Sequence, residues 1–233
     1  SKLAHLLIKE SQRLGRPLDC LEVGCGELWV LAVLYKAYQV KKADVLNSYT
    51  GVDIDPAVMD AYASLPEMYK EIGARVVIQD LTVDPMLACD PGSMDVLWSP
   101  EVIEHMKPEF VPAWLDSAHA CLRPGGLVYI STPNADGSHT KLPEDHVYEW
   151  GFNELRAELL KRWMLVSATG SFIQLPKFYK ANAVEQRIPL GLVDVFEARF
   201  DQHWLRNVLA APYPEISNNV AWILRKPNRT PVR

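Results

Sequence analysis

The sequence predicts an α/β fold in which a doubly wound, mostly parallel seven-stranded sheet carries helices on both faces. Apolar strand segments alternate with helical segments along most of the 233 residues, as in sheets joined by crossover helices. The first strand ends in a G-C-G loop at residues 24–26, and the second ends at Asp53. With 48% hydrophobic residues, the chain can fill one α/β core, so we predict a single domain over 1–233.

The predicted elements follow in chain order. Residues 2–13 have the apolar spacing of a helix, and the first β-α-β unit runs over 19–55. Further helices are predicted at 57–69, at 110–121, where the R-P-G-G turn follows, and at 152–163. Strands three to seven are predicted at 75–79, 94–99, 127–132, 164–171 and 220–225.

Composition limits the partners and the compartment. The net charge of −5, from 24 basic and 29 acidic residues, provides no strong field for nucleic acid. The four cysteines contain no C-x-x-C pair, and we expect all four to be reduced thiols: Cys20, Cys25, Cys89 and Cys121. We see no leader or membrane-spanning run, so we expect a cytoplasmic protein without a membrane partner. The oligomeric state is not indicated.

The loop after strand one has the features of a nucleoside-cofactor site. Glycine lets the backbone turn sharply and approach a ligand, and an acid at the tip of strand two can accept both ribose hydroxyls. The dinucleotide fingerprint G-x-G-x-x-G is the alternative, but Trp29 occupies its third glycine position. Glu22 and Glu27 would also repel a pyrophosphate, whereas they would not repel a sulfonium cofactor that carries an ammonium group.

The E-V-G-C-G loop resembles motif I of the class I S-adenosylmethionine-dependent methyltransferases, and Asp53 matches the ribose-binding acid of that family. The resemblance covers roughly residues 16–226 and implies S-adenosylmethionine as the cofactor. It places Q-D-L at 79–81 beside the adenine and S-P-E at 99–101 beneath the sulfonium. Another doubly wound protein, such as a reductase, would explain none of these later matches. The cofactor-binding residues predicted in this way are Glu22, Gly24, Cys25, Gly26, Asp53, Ile54, Asp80, Leu81, Ser99 and Glu101.

Residues able to do chemistry concentrate in S-P-E-V-I-E-H-M at 99–106. We predict a helix there, which would place Glu101, Glu104 and His105 on one face. His146 follows strand five and should reach the same edge of the sheet. Two carboxylates and two imidazoles can bind a divalent cation, or one imidazole can act as a base.

Two families offer different interpretations of this segment. The residues Glu101, Glu104, His105 and His146 resemble the metal site of small-RNA 3′-terminal 2′-O-methyltransferases, with the pattern E-x-x-E-H and a later D-H-x-F-E-W. That resemblance implies a metal-activated ribose hydroxyl, and the two oxygens and two nitrogens of these residues suit Mn, Fe, Co or Zn better than Ca. The A-D-G sequence after Asn134 departs from that family. The segment also resembles ubiquinone-type small-molecule O-methyltransferases, where Glu101 would cap the cofactor pocket. A metal site, a metal-free base role for His105 or His146, and a structural role stay open.

Two insertions extend the minimal fold, at 133–148 and at 174–217. The second is rich in aromatic and basic residues, and we predict that it is a lid over the acceptor; a dimer contact or a surface subdomain is the alternative. The predicted function is methyl transfer to an oxygen or nitrogen of a small-molecule acceptor. A nucleic-acid methyltransferase acting on a ribose 2′-hydroxyl or a base, and a catalytically silent cofactor-binding subunit, are the competing hypotheses.

Overall fold

The computed structural model of the chain describes residues 2–38, 45–64, 73–87, 89–137 and 142–228. Seven strands form one sheet in the order β3-β2-β1-β4-β5-β7-β6. The strands are β1 Leu18–Val23, β2 Leu46–Asp53, β3 Arg75–Ile78, β4 Met94–Pro100, β5 Leu122–Pro133, β6 Met164–Ser171 and β7 Asn219–Arg225. Strand β7 is antiparallel to both β5 and β6, and the other pairs are parallel. The predicted fold class is confirmed.

Helices cover both faces of the sheet because side chains alternate along the strands. In β4, Val96 and Trp98 pack with the first helices, whereas Leu97 packs with the helices that follow. One face carries α1 (Lys2–Leu14), α2 (Trp29–Tyr38) and α3 (Val58–Ala63). The other carries α4 (Val111–Cys121) and α5 (Phe152–Leu159).

Several element boundaries differ from the predictions, and the following three differences exceed two residues. Helix α3 is described only to Ala63, and residues 65–69 of the predicted helix lie outside the described residues. Helix α5 ends at Leu159 and not at residue 163. Strand β5 starts earlier than predicted, because Leu122 already pairs with Met94 of β4. The pairing then shifts register, and the R-P-G-G segment lies within β5 at this irregularity.

The 174–217 insertion forms a helical unit with its own apolar cluster. Its helices are α6 (Leu175–Glu185), α7 (Leu190–Arg199) and α8 (Gln202–Ala210). The fully buried side chains of Phe178, Leu209 and Tyr213 pack together there. The insertion leaves the sheet after Ser171 and returns at Asn219, which pairs with Pro133 of β5. Both of its ends therefore lie at the carboxyl edge of β4 and β5.

The prediction of four reduced cysteines is wrong for one pair. Cys89 and Cys121 form a disulfide across a sequence separation of 32, linking the segment before β4 to the end of α4. Cys20 and Cys25 are free and buried. The cysteine content therefore gives no support for a reducing compartment. Among the described helices, none combines the length and apolar character needed to cross a bilayer.

Candidate functional site

The glycine loop after β1 is fixed by its neighbours. Gly24 and Gly26 adopt φ values of 72° and 44°, a region that glycine enters without a Cβ penalty. The Gly24 and Cys25 amides donate to the Val52 carbonyl, at 2.8 and 3.2 Å. A Cβ on Gly24 would lie 2.3 Å from Val102 Cγ2. The loop therefore lies between the end of β2 and the segment that follows β4.

Asp53 stands at the mouth of this loop. Its Oδ2 accepts from the Gly26 amide at 2.7 Å and its Oδ1 from the Asp55 amide at 3.0 Å. The next side chain, Ile54, is 63% exposed. These contacts use one acceptor position on each carboxylate oxygen, and a carboxylate oxygen can accept two hydrogen bonds. The structure thus brings Gly24, Gly26 and Asp53 together, while their binding role stays a prediction.

Glu22 points away from the loop mouth into the protein. It is 2% exposed, and its Oε2 accepts from the Tyr49 hydroxyl at 2.5 Å. Burial raises the pKa of Glu22 to about 7, against the opposing effect of the Tyr49 hydrogen bond. Burial likewise raises the pKa of the Cys25 thiol to about 12. Glu22 is thus buried and hydrogen-bonded below the loop, and its repulsion of a pyrophosphate stays a prediction.

Asp80 and Leu81 lie beyond the end of β3. Asp80 Oδ1 accepts from the Thr82 hydroxyl at 2.7 Å and the Thr82 amide at 2.9 Å, and these bonds lower the pKa of Asp80. Leu81 is 8% exposed and joins the main core. The Gln79 amide donates to the Asp53 carbonyl, which fixes this segment beside the tip of β2.

Ser99 and Glu101 mark the end of β4. Ser99 is fully buried, and its Oγ has no hydrogen-bond partner among the described residues. Glu101 has φ 53°, an uncommon value for a residue with a side chain. Its Oε1 accepts from the Ser131 hydroxyl at 2.6 Å and its Oε2 from the Asn219 amide group at 2.7 Å. The carboxylate is thus held by groups from β5 and β7.

The predicted helix over Glu101, Glu104 and His105 is wrong. Pro100 is still part of β4, and only Ile103–His105 is helical, as a single 3₁₀ turn. The Glu101 amide donates to the Ser131 carbonyl at 2.8 Å, so this residue continues the strand-end geometry. Glu101 and Glu104 therefore do not stack along one helix face.

Glu104 is the buried acid of the site. It is 1% exposed, and its Oε2 accepts from the Thr132 hydroxyl at 3.0 Å. Its Oε1 is buried and has no hydrogen-bond partner within the described part of the chain. Burial raises the pKa of Glu104 to about 7, and the negative charge of Glu101 adds to this effect.

Three of the four predicted ligands converge. Glu104, His105 and His146 each offer one ligand atom, and these atoms lie within 4.8 Å of one another. The two imidazole rings meet edge to face with centroids 5.1 Å apart. The Val147 and Tyr148 amides donate to the Glu104 carbonyl, which holds the His146 segment against the 3₁₀ turn. Glu101 does not belong to this group, so the predicted metal quartet is reduced to a trio.

The insertion contacts the loop that follows β5 through backbone acceptors. The Asn134 side-chain amide donates to the carbonyls of Pro214, Glu215 and Ser217, at 3.3, 3.2 and 2.9 Å. A Cβ on Gly137 would lie 1.7 Å from the Ser217 carbonyl oxygen, so only glycine permits this approach. The end of the insertion is therefore packed on the loop that follows β5.

Sequence reasoning missed several partners of the site. Thr132 lies in the S-T-P-N motif, whose position at the end of β5 could have indicated that this residue belongs to the site. Glu149 lies in the later D-H-x-x-E-W segment, three residues after its partner His146, so it too could have been found from the sequence. Tyr49 and Asn219 carried no such signal, because their contacts depend on tertiary packing; Asn219 is 118 residues from Glu101.

Comparisons with known proteins identify the family of the chain. Residues 1–187 match the family model described as a methyltransferase domain. A ubiquinone biosynthesis O-methyltransferase from Pseudomonas paraeruginosa is 33% identical over 115 residues, which is 49% of this chain and 44% of the relative. The chain thus spans about half the length of the curated relatives that it matches.

Solved structures share the fold at low identity. The methyltransferase in a complex with the Haloferax volcanii Trm112 methyltransferase activator has a TM-score of 0.57 at 14% identity, covering 92% of this chain and 84% of that chain. The Burkholderia thailandensis 1,6-didemethyltoxoflavin-N1-methyltransferase, with bound 1,6-didemethyltoxoflavin and S-adenosylhomocysteine, has a TM-score of 0.55 at 18% identity. That match covers 95% of this chain and 78% of the other. These likenesses establish the fold alone.

Proposed function

The chain belongs to the methyltransferase-domain family, and from that premise we propose that it transfers the methyl group of S-adenosylmethionine to a hydroxyl oxygen of a small molecule. One observation carries the proposal: the cofactor loop and the trio of Glu104, His105 and His146 are adjacent. Gly24 of the loop contacts Val102, and the 3₁₀ turn that bears Glu104 and His105 begins at the next residue. The O-methyltransferase relative supports oxygen as the target.

The chemistry divides between the cofactor and the protein. The cofactor supplies an electrophilic methyl group, so the protein has to align the acceptor and exclude water. A hydroxyl is a weak nucleophile, and a positioned imidazole can take its proton during attack. His105 and His146 are the groups proposed for that role. In the same proposal, Asp53 binds the ribose, and the fixed carboxylate of Glu101 faces the cationic end of the cofactor.

Histidine variants test this proposal. His146→Ala and His105→Ala should each slow formation of S-adenosylhomocysteine, by about 10²- to 10⁴-fold in the variant that lacks the general base, without weakening cofactor binding. Mass spectrometry would follow the reaction with a panel of hydroxylated and amino-bearing small molecules. His5→Ala, an exposed position on α1, is the matched control. Wild-type rates in both site variants would contradict the base role.

A second candidate function rests on the same trio. Two imidazole nitrogens and the Glu104 Oε1, which has no hydrogen-bond partner among the described residues, form a donor set that suits Mn²⁺, Fe²⁺, Co²⁺ or Zn²⁺. Glu104, His105 and His146 would hold the ion, which would acidify a bound ribose hydroxyl in an RNA acceptor. Activity lost in EDTA, regained with one of these ions and confined to RNA with a free 3′-terminal ribose would favour this alternative. Full activity in EDTA would remove it.

We propose that the 174–217 insertion covers the acceptor. Its two ends lie at the carboxyl edge of the sheet, and its last turn is packed on the loop after β5. Replacing it with a short glycine-serine linker should preserve cofactor affinity and abolish transfer, because its own apolar cluster is separate from the main core. Equal loss of both properties would mean that the insertion is needed for the fold.

A further inference from the structure

The two histidines of the trio share a hydrogen-bonding feature. His105 Nδ1 lies 2.7 Å from the Asp145 carbonyl oxygen, and His146 Nδ1 lies 2.8 Å from Glu149 Oε1. Carbonyl and carboxylate oxygens accept hydrogen bonds and do not donate them. Each contact therefore requires the proton to be on Nδ1. In the neutral imidazoles, the lone pair is consequently on Nε2.

We propose that Glu149 is the positioning residue that fixes His146 in the Nδ1–H tautomer, so that Nε2 is the atom presented to the acceptor. The inference rests on the proposed function, in which the Nε2 lone pair of His146 accepts the proton of the acceptor hydroxyl. The same orientation would serve a cation, because a ligating imidazole also needs a free ring nitrogen. Glu149 acts through His146 and does not itself contact the acceptor.

Burial makes the carboxylate effective in this position. The side chains of His146 and Glu149 are only 14% and 6% exposed, so water competes little for the Nδ1 proton. His105 differs, since it is exposed and its Nδ1 meets a backbone carbonyl that no side-chain substitution removes. Substituting Glu149 can therefore test the tautomer of His146, whereas no such substitution is available for His105.

The backbone holds this pair in register with the site. The Val147 and Tyr148 amides donate to the Glu104 carbonyl at 2.7 and 3.0 Å, and the Ala135 amide donates to the Trp150 carbonyl at 3.1 Å. Backbone hydrogen bonds thus fix the chain on both sides of Glu149. A fixed segment of this kind preserves the orientation of an imidazole in a way that a free loop would not.

Nitrogen-15 NMR of the ring nitrogens tests the proposal directly. The full chain would be labelled at histidine, His146→Gln would assign the resonance, and long-range proton–nitrogen spectra would be recorded at alkaline pH, where imidazole is neutral. The wild type should show His146 protonated at Nδ1. Glu149→Gln should lose that single tautomer, because a carboxamide can either accept from Nδ1–H or donate to a bare Nδ1. Glu144→Gln, an exposed change of the same charge, should leave the spectrum unchanged.

The outcomes separate this inference from the proposed function. The spectra need neither cofactor nor acceptor, so they report on the tautomer even if no hydroxyl is methylated. A wild-type His146 protonated at Nε2 would overturn the proposal without any variant, as would a Glu149→Gln spectrum identical to that of the wild type. Calorimetry with S-adenosylmethionine on Glu149→Gln should give the wild-type affinity; a parallel loss would assign Glu149 a merely structural role.

Discussion

Replacing Glu22 with glutamine should remove a pH-dependent loss of stability. The Glu22 carboxyl is buried beneath the glycine loop and accepts a hydrogen bond from the Tyr49 hydroxyl. The glutamine carbonyl can accept the same bond, so the substitution keeps the shape and the partner and removes only the titrating group. The predicted effect is therefore on the pH dependence of unfolding.

The magnitude follows from the pKa of this carboxyl. Burial raises the pKa to about 7, compared with the ordinary value of 4.5 expected in the unfolded chain. Between these two pH values, the unfolded chain releases the proton while the folded protein keeps it, so stability falls as the pH rises. At 1.36 kcal/mol for each pH unit, the loss is on the order of 3 kcal/mol and is complete above the folded pKa.

Urea unfolding followed by tryptophan fluorescence, from about pH 4.5 to about pH 8, measures this difference. The free energy of unfolding of Glu22→Gln relative to the wild type should rise by about 3 kcal/mol across that range. The pKa of Glu104 is also raised to about 7, but its effect on the pH dependence of unfolding is the same in both proteins and cancels in the comparison. Glu109→Gln, an exposed control, should run parallel to the wild type. Parallel curves for Glu22→Gln would refute the claim that this carboxyl is buried and protonated near neutrality.

Three further perturbations probe the loop, the acid and the disulfide. Asp53→Ala should weaken S-adenosylmethionine binding by about 1.5–3 kcal/mol in calorimetry, the range for bonds to a charged group; the exposed Asp60→Ala is the control, and equal affinities in the two variants would contradict the ribose assignment. Gly24→Ala should lower the melting temperature and the cofactor affinity, because its Cβ would lie 2.3 Å from Val102 Cγ2 in a left-handed backbone. Adding Val102→Ala should restore part of that loss, and no recovery would assign the whole effect to the backbone. Reducing the Cys89–Cys121 bond, which spans 32 residues, should cost up to about 4 kcal/mol of unfolding free energy by loop entropy; four thiols titrating without a reductant would show that the bond does not form.

The fold and the glycine loop after β1 were predictable because their signals are local and periodic. Alternating apolar segments defined the strands, and glycines at the end of β1 marked the turn that Gly24 and Gly26 make with positive φ. The placement of Asp53 beside this loop followed from topology, since the carboxyl ends of neighbouring parallel strands meet at one edge.

The details of the site were not predictable from spacing. Helical spacing suggested that Glu101 and Glu104 lie on one helix face. The Glu101 amide instead donates to the Ser131 carbonyl of β5, and this tertiary hydrogen bond keeps Glu101 in the strand-end geometry. The Asn219 contact to Glu101 joins residues that are far apart in the chain. The disulfide likewise depends on how the segment before β4 packs against α4, which no local motif reveals.

The most direct test of the proposed methyl transfer uses S-adenosylmethionine with a trideuterated methyl group. The protein would be incubated with this cofactor and, separately, with a small-molecule extract and with total RNA, and the products would be identified by mass spectrometry. We predict a labelled low-mass product carrying the trideuteromethyl group on oxygen, formed by the wild type and by His5→Ala but lost in His146→Ala. Label on RNA or on nitrogen, or S-adenosylhomocysteine formed equally by His146→Ala, would contradict this account.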